Sequence, residues 1–174
     1  MSILPEAARK YVGMTSGKEV ACDPVEPGAV RRYAQAIMDE DPAYRDDKEA
    51  AARYGGPVAP PIFPTHMLRR PFGAPDLLEE RARDPNFDGL TNSSSQGLPE
   101  IEPLKGLALL NGGSEIEFFR YARHGETVTV QSRYSSITEK ETSKGPMIFV
   151  VIESDYCNGE GELLMKTRRT IIRR

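Results

Sequence analysis

The sequence predicts an α+β domain in which a helical half precedes a block of antiparallel strands, and three observations carry this. The last third of the chain holds "SEIEFFRY", "ETVTVQSRYSSITEK", "PMIFVVIESDYC" and "ELLMKTRRTIIRR", all dense in Val, Ile, Thr, Phe and Tyr, which suit a pleated, half-buried surface. The breaks after the second and third of these runs are turn-like: Thr142 to Pro146, then Asn158-Gly159 with Gly161. Before this block, apolar residues recur at helical spacing, with Val30, Tyr33, Ala34 and Ile37 at i, i+3, i+4 and i+7. Helices segregated from contiguous antiparallel strands make an α+β architecture.

The elements follow in order. Leu4 to Tyr11 reads as a short helix, with Pro5 near its start and Gly13 after its end. Lys18 to Val25 alternates weakly and reads as a strand. Pro27 opens the helix that carries the apolar stripe, and Pro42 forbids its easy continuation. "DDKEAAARYGG" gives a further helical turn or two, capped by Asp46 or Asp47 and ended by Gly55. Four prolines from Pro57 to Pro64 exclude regular helix there, so a short helix is expected from Pro64 to before Pro71. Residues 73–106 read as a long loop, with two helical turns at "PDLLEERAR" and a low-complexity middle, "NSSSQG". Such loops border functional sites or are mobile, and both are expected here. Strands are expected near 18–25, 114–121, 126–139, 146–157 and 162–173, with the four after the loop forming a meander.

Composition bounds the function. The 174 residues suffice for a single domain over 1–174 with one sizeable core. Apolar residues make up 39% and charged residues 28%, an ordinary globular mix. A net charge of −3 argues against a nucleic-acid partner. No run is long and apolar enough to span a bilayer, and the N-terminus lacks the order of a signal peptide. A cytoplasmic protein is expected. Cys22 and Cys157 lie far apart in strand-like runs without CxxC spacing, so buried free thiols are expected rather than a disulfide or zinc site.

The stretch "MDEDPAYRDD", Met38 to Asp47, crowds five acids around one proline and one tyrosine. Counted from Asp39, Tyr44 stands where a calcium loop needs glycine, so no metal is expected. His124 sits in the turn "YARHGET", and His66 follows the prolines as a packed or substrate-lining residue. "NGGSE" and "NGEGE" match no phosphate-binding motif and read as the approach to a strand and a hairpin turn. The basic end "KTRRTIIRR" reads as a solvated edge, or alternatively as a partial phosphate site.

The helix Val30 to Ile37 followed by Met38-Asp39-Glu40-Asp41-Pro42-Ala43-Tyr44 resembles the MaoC-like (R)-specific enoyl-CoA hydratases and dehydratases, closest to their N-terminal, FAS1-like branch. There the motif runs Gly-Asp-x-Asn-Pro-(aliphatic)-His, and its Asp and His activate one water. Asp39 and Pro42 match; Tyr44 replaces the histidine. The family's Pro-Ile-Ala-His-Gly-Met corresponds to Pro57-Val58-Ala59-Pro60-Pro61-Ile62, and the glycine N–H that polarises the thioester carbonyl falls on Pro61, which has none. "LNGGSEIEFFRYARHGETVTV" and "YCNGEGELLMKTRRTIIRR" resemble the family's paired strands and closing hairpin. The resemblance implies a hot-dog fold, a curved antiparallel sheet around a short central helix. It implies a degenerate site at Asp39, Tyr44 and Pro61, with His66 as a possible substrate-lining residue and no confident catalytic residue. The expected function is a non-catalytic, acyl-accommodating subunit of an enoyl-CoA hydratase or 3-hydroxyacyl-thioester dehydratase. Its ligand would be an acyl-CoA or acyl-carrier thioester, coenzyme A entering as substrate with no further cofactor. A second hot-dog subunit would supply Asp and His, as a hetero-oligomer or, failing that, a homodimer. The alternatives are a self-sufficient homodimeric hydratase using Asp39 with Tyr44 or His66, a thioesterase, or an acyl-CoA binding protein. The stretch Pro57 to Arg70 lacks the acid that hot-dog thioesterases generally carry.

Overall fold

The computed structural model describes residues 2–68, 73–75, 79, 82–85 and 97–174. Most residues of the expected helical turns at "PDLLEERAR" and of the expected mobile stretch "NSSSQG" fall outside the described residues.

Five antiparallel strands form one sheet: β1 (Glu19–Val20), β2 (Leu109–Phe118), β3 (Val128–Thr142), β4 (Gly145–Asn158) and β5 (Leu163–Arg173), in the order β1-β3-β4-β5-β2. The strand density expected from the sequence is present, but a simple meander is not. β3, β4 and β5 follow one another as hairpins, whereas β2 pairs with β5 at the far side. "KTRRTIIRR" is therefore an inner strand, not a solvated edge. β1 is also shorter than expected: regular pairing ends at Val20, and the chain bends at Cys22 and Asp23. Ala21 and Val25 still donate to Val128 and Glu126 carbonyls.

β2 starts five residues before the expected position. Its glycines form a bulge between Asn111 and Ser114, with Gly113 at φ 105° and Asn111 Oδ1 accepting from the Gly113 N–H. A Cβ on Gly112 would stand 2.8 Å from Thr170 Cγ2 and 3.0 Å from the Thr170 carbonyl oxygen. Gly112→Ala is expected to cost about 1–3 kcal/mol through overpacking, measured by urea unfolding. An unchanged midpoint would show that the bulge yields freely.

Helix α1 (Pro27–Ala36) and helix α2 (Asp47–Tyr54) appear where the patterning put them. Asp46 caps α2 through the Lys48 N–H, and Gly55 ends it in the left-handed region. The N-terminal helix is a 3-10 segment, Glu6–Tyr11, and the expected helix at Pro64 is a single 3-10 turn, Phe63–His66. Glu102–Leu104, assigned to loop by the sequence, is also a 3-10 turn. Leu98, Ile101 and Leu104 beside it are core residues, since they pack on the sheet.

α1 ends in a tight reversal. The Asp39 N–H reaches back to the Ala34 carbonyl, and Met38 between them sits at φ 57°. Only glycine adopts that region without cost. Met38 is 84% exposed, so its side chain gives little packing in return. Met38→Gly is expected to raise stability by about 0.5–1 kcal/mol, since relief of strain exceeds the added chain entropy. A lower melting temperature would contradict this.

One face of the sheet is covered, in two apolar clusters. The first joins Val128, Val130, Tyr156, Leu164 and Met165 to Val25, Val30, Ala59, Phe63 and Met67. The second joins Tyr134, Ile137, Ile148, Val150, Ile152 and Ile171 to Leu4, Ala8, Leu98, Ile101 and Leu104. Between them runs a polar belt. Ser132, Ser154 and Thr167 are directly opposed across β3, β4 and β5, and the next row holds Tyr134, Ile152 and Arg169. Ser132 and Ser154 are fully buried and share a 2.8 Å hydrogen bond. The opposite face carries a charged row, Arg133, Glu153 and Arg168. Among the described residues no helix is long and apolar enough to cross a membrane.

Candidate functional site

The acidic stretch is organised by its own backbone. Asp39 Oδ1 accepts from the Asp41 N–H at 3.0 Å, and Arg45 Nη2 donates to the Asp39 carbonyl at 2.9 Å. Asp41 caps the 3-10 turn Pro42–Tyr44 through the Ala43 N–H and receives two hydrogen bonds from Arg53. These contacts hold the Asp41 carboxyl below its ordinary pKa, the Ala43 N–H foremost. Both carboxylates therefore shape the loop, and Asp39 is half-buried.

Tyr44 is a packed residue. It lies with Ala34 and Val58 in a small cluster bordered by Tyr54 and Tyr121. Burial raises its phenol pKa well above the ordinary value, and Tyr121, Asp39, Tyr54 and Asp41 push in the same direction. Such a phenol holds its proton at neutral pH and is a poor base.

Pro61 lies in a proline-defined turn. The Ala59 N–H donates to the Ala122 carbonyl, Pro60 is fully buried, and the Phe63 N–H closes onto the Pro60 carbonyl. Residue 61 therefore sits inside this turn with no N–H to offer.

His66 is exposed and stands edge-on to Tyr33, ring centroids 4.6 Å apart. It lines a cleft of about 430 Å³ with Ala29, Tyr33, Ile37, Phe63 and Met67. Tyr44 lines a different cavity, of about 350 Å³, with Gly28, Arg31 and Gln35. Residues 29, 33 and 37 face one side of α1, and residues 28, 31 and 35 the other. The helix thus separates His66 from Tyr44, and the fold does not bring them into one acid–base pair.

Sequence reasoning missed His124. It lines the cavity beside Tyr44, half-buried, and its Nε2 is shielded from solvent with no hydrogen-bond partner among the described residues. Burial depresses its pKa, against the opposing pull of Asp47 and a hydrogen bond to the Val58 backbone. The signal was available only in three dimensions: residues 123 and 58 bridge, which folds the turn before β3 onto the proline run. Neither thiol forms a disulfide, and both are more open than expected: Cys22 is exposed, beyond the end of β1 at Val20, and Cys157 is half-buried. Among the described residues no group of three or more His, Cys, Asp or Glu side chains could hold a metal.

Comparison with known proteins supplies the context. A family model described as FAS1-like, dehydratase domain region matches residues 10–167. A probable enoyl-CoA hydratase alpha subunit from Thermomonospora curvata is 29% identical over 176 residues, covering 94% of this chain and 49% of that protein. The chain thus spans about half the length of that relative. The ChsH1–ChsH2 complex from Mycobacterium tuberculosis superposes with a TM-score of 0.72 at 22% identity, covering 96% of this chain and 88% of that one. The truncated HadBC (3R)-hydroxyacyl-ACP dehydratase complex of the same organism gives 0.60 at 18%, covering 93% and 96%. The (R)-hydratase of A. caviae gives 0.56 at 14%, covering 92% and 94%. These likenesses show the hot-dog fold.

Proposed function

The chain belongs to the FAS1-like dehydratase branch of the MaoC-like hydratases, and from that premise we propose that it is a non-catalytic, acyl-accommodating subunit of a cytoplasmic enoyl-CoA hydratase or 3-hydroxyacyl-thioester dehydratase. A second hot-dog subunit supplies the working Asp and His. Residues 1–174 act as one hot-dog domain, and the coenzyme A or carrier thioester is substrate, with no further cofactor.

One observation carries the reading. The family's base and its carbonyl donor are both replaced, by a buried tyrosine whose proton is held tightly and by a proline without an N–H. Two independent losses in one site argue against turnover by this chain alone. What remains is a cleft of about 430 Å³ walled by Tyr33, Phe63 and Met67, suited to apolar acyl carbons. The partner's place is supported by β2, a ten-residue strand at the end of the sheet order, exposed along nearly its whole length, with Ile116 and Phe118 open to solvent. Exposed edges of that length are normally covered.

The test is reconstitution. The chain alone should bind an acyl-CoA without hydrating crotonyl-CoA, and activity should appear on adding a short MaoC-like protein with intact Asp and His. A stable monomer in sedimentation that captures no such partner would refute the subunit reading.

A further inference from the structure

Arg169 lies on the covered face of the sheet, in the row Tyr134, Ile152, Arg169, next to the hydroxyl belt of Ser132, Ser154 and Thr167. It is half-buried, and two of its nitrogens, Nε and Nη2, are shielded from solvent without a hydrogen-bond partner among the described residues. Those two nitrogens form one edge of the guanidinium, whose parallel N–H groups match the two oxygens of a carboxylate. The same sheet shows that edge in use. Arg133 directs Nε and Nη2 at one Glu153 oxygen, Oε2, and Arg168 directs the same pair at the other, Oε1, at distances between 2.5 and 3.1 Å. Arg120 pairs with Glu126 and Glu162 through its other edge, Nη1 and Nη2, and leaves its Nε unpartnered among the described residues.

Arg169 thus repeats a geometry that is filled elsewhere and empty here. Burying a guanidinium without a counter-charge is unfavourable, and a polar group left unpaired in a folded protein calls for an occupant. The neighbouring groups do not supply one. Tyr134 donates its hydroxyl to the Pro99 carbonyl, and Ser132 and Ser154 bond to each other. Burial lowers the Arg169 pKa, while Tyr156 and Tyr134 act in the opposite direction.

We propose that the Nε–Nη2 edge of Arg169 is a subsite for a carboxylate carried at the far end of the ligand's acyl group, so that the thioester this chain accommodates has an anionic tail. The inference rests on the acyl-accommodating reading above. Apolar clusters flank this row of the sheet on either side, and the hydroxyl belt adjoins it.

The experiment is calorimetric titration of the full chain with octanoyl-CoA and suberoyl-CoA, which share an eight-carbon acyl chain and differ in the terminal carboxylate. Suberoyl-CoA is expected to bind about tenfold more tightly. Arg169→Gln should abolish that difference and leave octanoyl-CoA unchanged. Equal affinities in the wild type, or a preference that survives Arg169→Gln, would overturn the subsite and leave acyl binding standing. Binding of neither thioester would overturn both. Thermal unfolding of ligand-free Arg169→Met gives an independent readout. The melting temperature should hold or rise, because an unpaired buried charge is removed. A clear fall would show that Arg169 already has a structural partner, and would overturn the proposal. Self-association of the wild type that Arg169→Gln abolishes would do the same, by assigning the carboxylate to a second copy of the chain.

Discussion

The isolated chain is expected to hydrate crotonyl-CoA at least about 100-fold more slowly than a hot-dog hydratase that carries both Asp and His, and Tyr44→His alone is expected not to restore it. The base is the lesser difficulty. A histidine at 44 would bring a pKa near neutrality in place of a phenol whose pKa burial pushes above its ordinary value. The carbonyl would still lack its donor, because Pro61 has no N–H. Loss of one such donor costs roughly 100- to 1000-fold in rate. The double change Tyr44→His with Pro61→Gly is the smallest restoration with a physical basis. It must also contend with buried Pro60 and with a central turn of only four residues. Asp39→Ala should act on stability rather than rate, since Asp39 Oδ1 fixes the Asp41 N–H. Loss of enoyl absorbance measures all four proteins. A normal hydratase rate in the unmodified chain, abolished by Asp39→Ala, would favour the self-sufficient homodimer.

Glu153 is the second large effect. The residue is 9% exposed, and its carboxylate accepts two hydrogen bonds from each of Arg133 and Arg168. The Arg133 hydrogen bonds are the largest influence on its pKa; burial opposes them, Arg168 assists, and the value falls to about 2 from 4.5. The folded pKa lies below the unfolded one. The stabilisation is therefore complete above about pH 4.5 and is lost as pH falls toward about 2. Glu153→Ala removes the acid and leaves two guanidinium groups side by side. Breaking a buried pair costs about 3–5 kcal/mol, but both arginines are half exposed and screened, so about 2–3 kcal/mol is expected. Urea unfolding at pH 7 and pH 3 checks this. The gap between wild type and variant should narrow at pH 3, and a constant gap would mean that packing, not charge, is what the residue contributes.

Local chemistry was legible in the sequence where it was decided by neighbours along the chain. The α1 stripe, the Asp46 and Gly55 caps of α2, and the Asn158-Gly159 hairpin all rest on such contacts, and all are present. Legibility failed where a distant residue decided. Nothing in "LLNGGSEIEF" announces that it pairs with β5 and skips β3, because both strands offer similar alternation. "KTRRTIIRR" misled for the same reason: Lys166 and Arg168 face Asp155 and Glu153 on β4, which only the register brings opposite. The site shows the same division. Asp39, Tyr44 and Pro61 were visible through motif resemblance, whereas His124 reaches Tyr44's cavity only through the bridge between Arg123 and Val58.

The sheet order also sets a timetable. β2 ends at Phe118, and its only neighbour among the described residues, β5, does not begin until Leu163. During synthesis β2 leaves the ribosome before β3, β4 and β5 and waits while their hairpins form. β1 waits longer still, since Glu19 pairs with Val130. Contacts this far apart in sequence make folding slow, and a waiting strand with Phe118 and Phe119 uncovered is prone to associate with other nascent chains. Yield in a heterologous host should therefore depend on translation rate and on co-synthesis of whatever covers β2, even for variants whose final stability is unchanged.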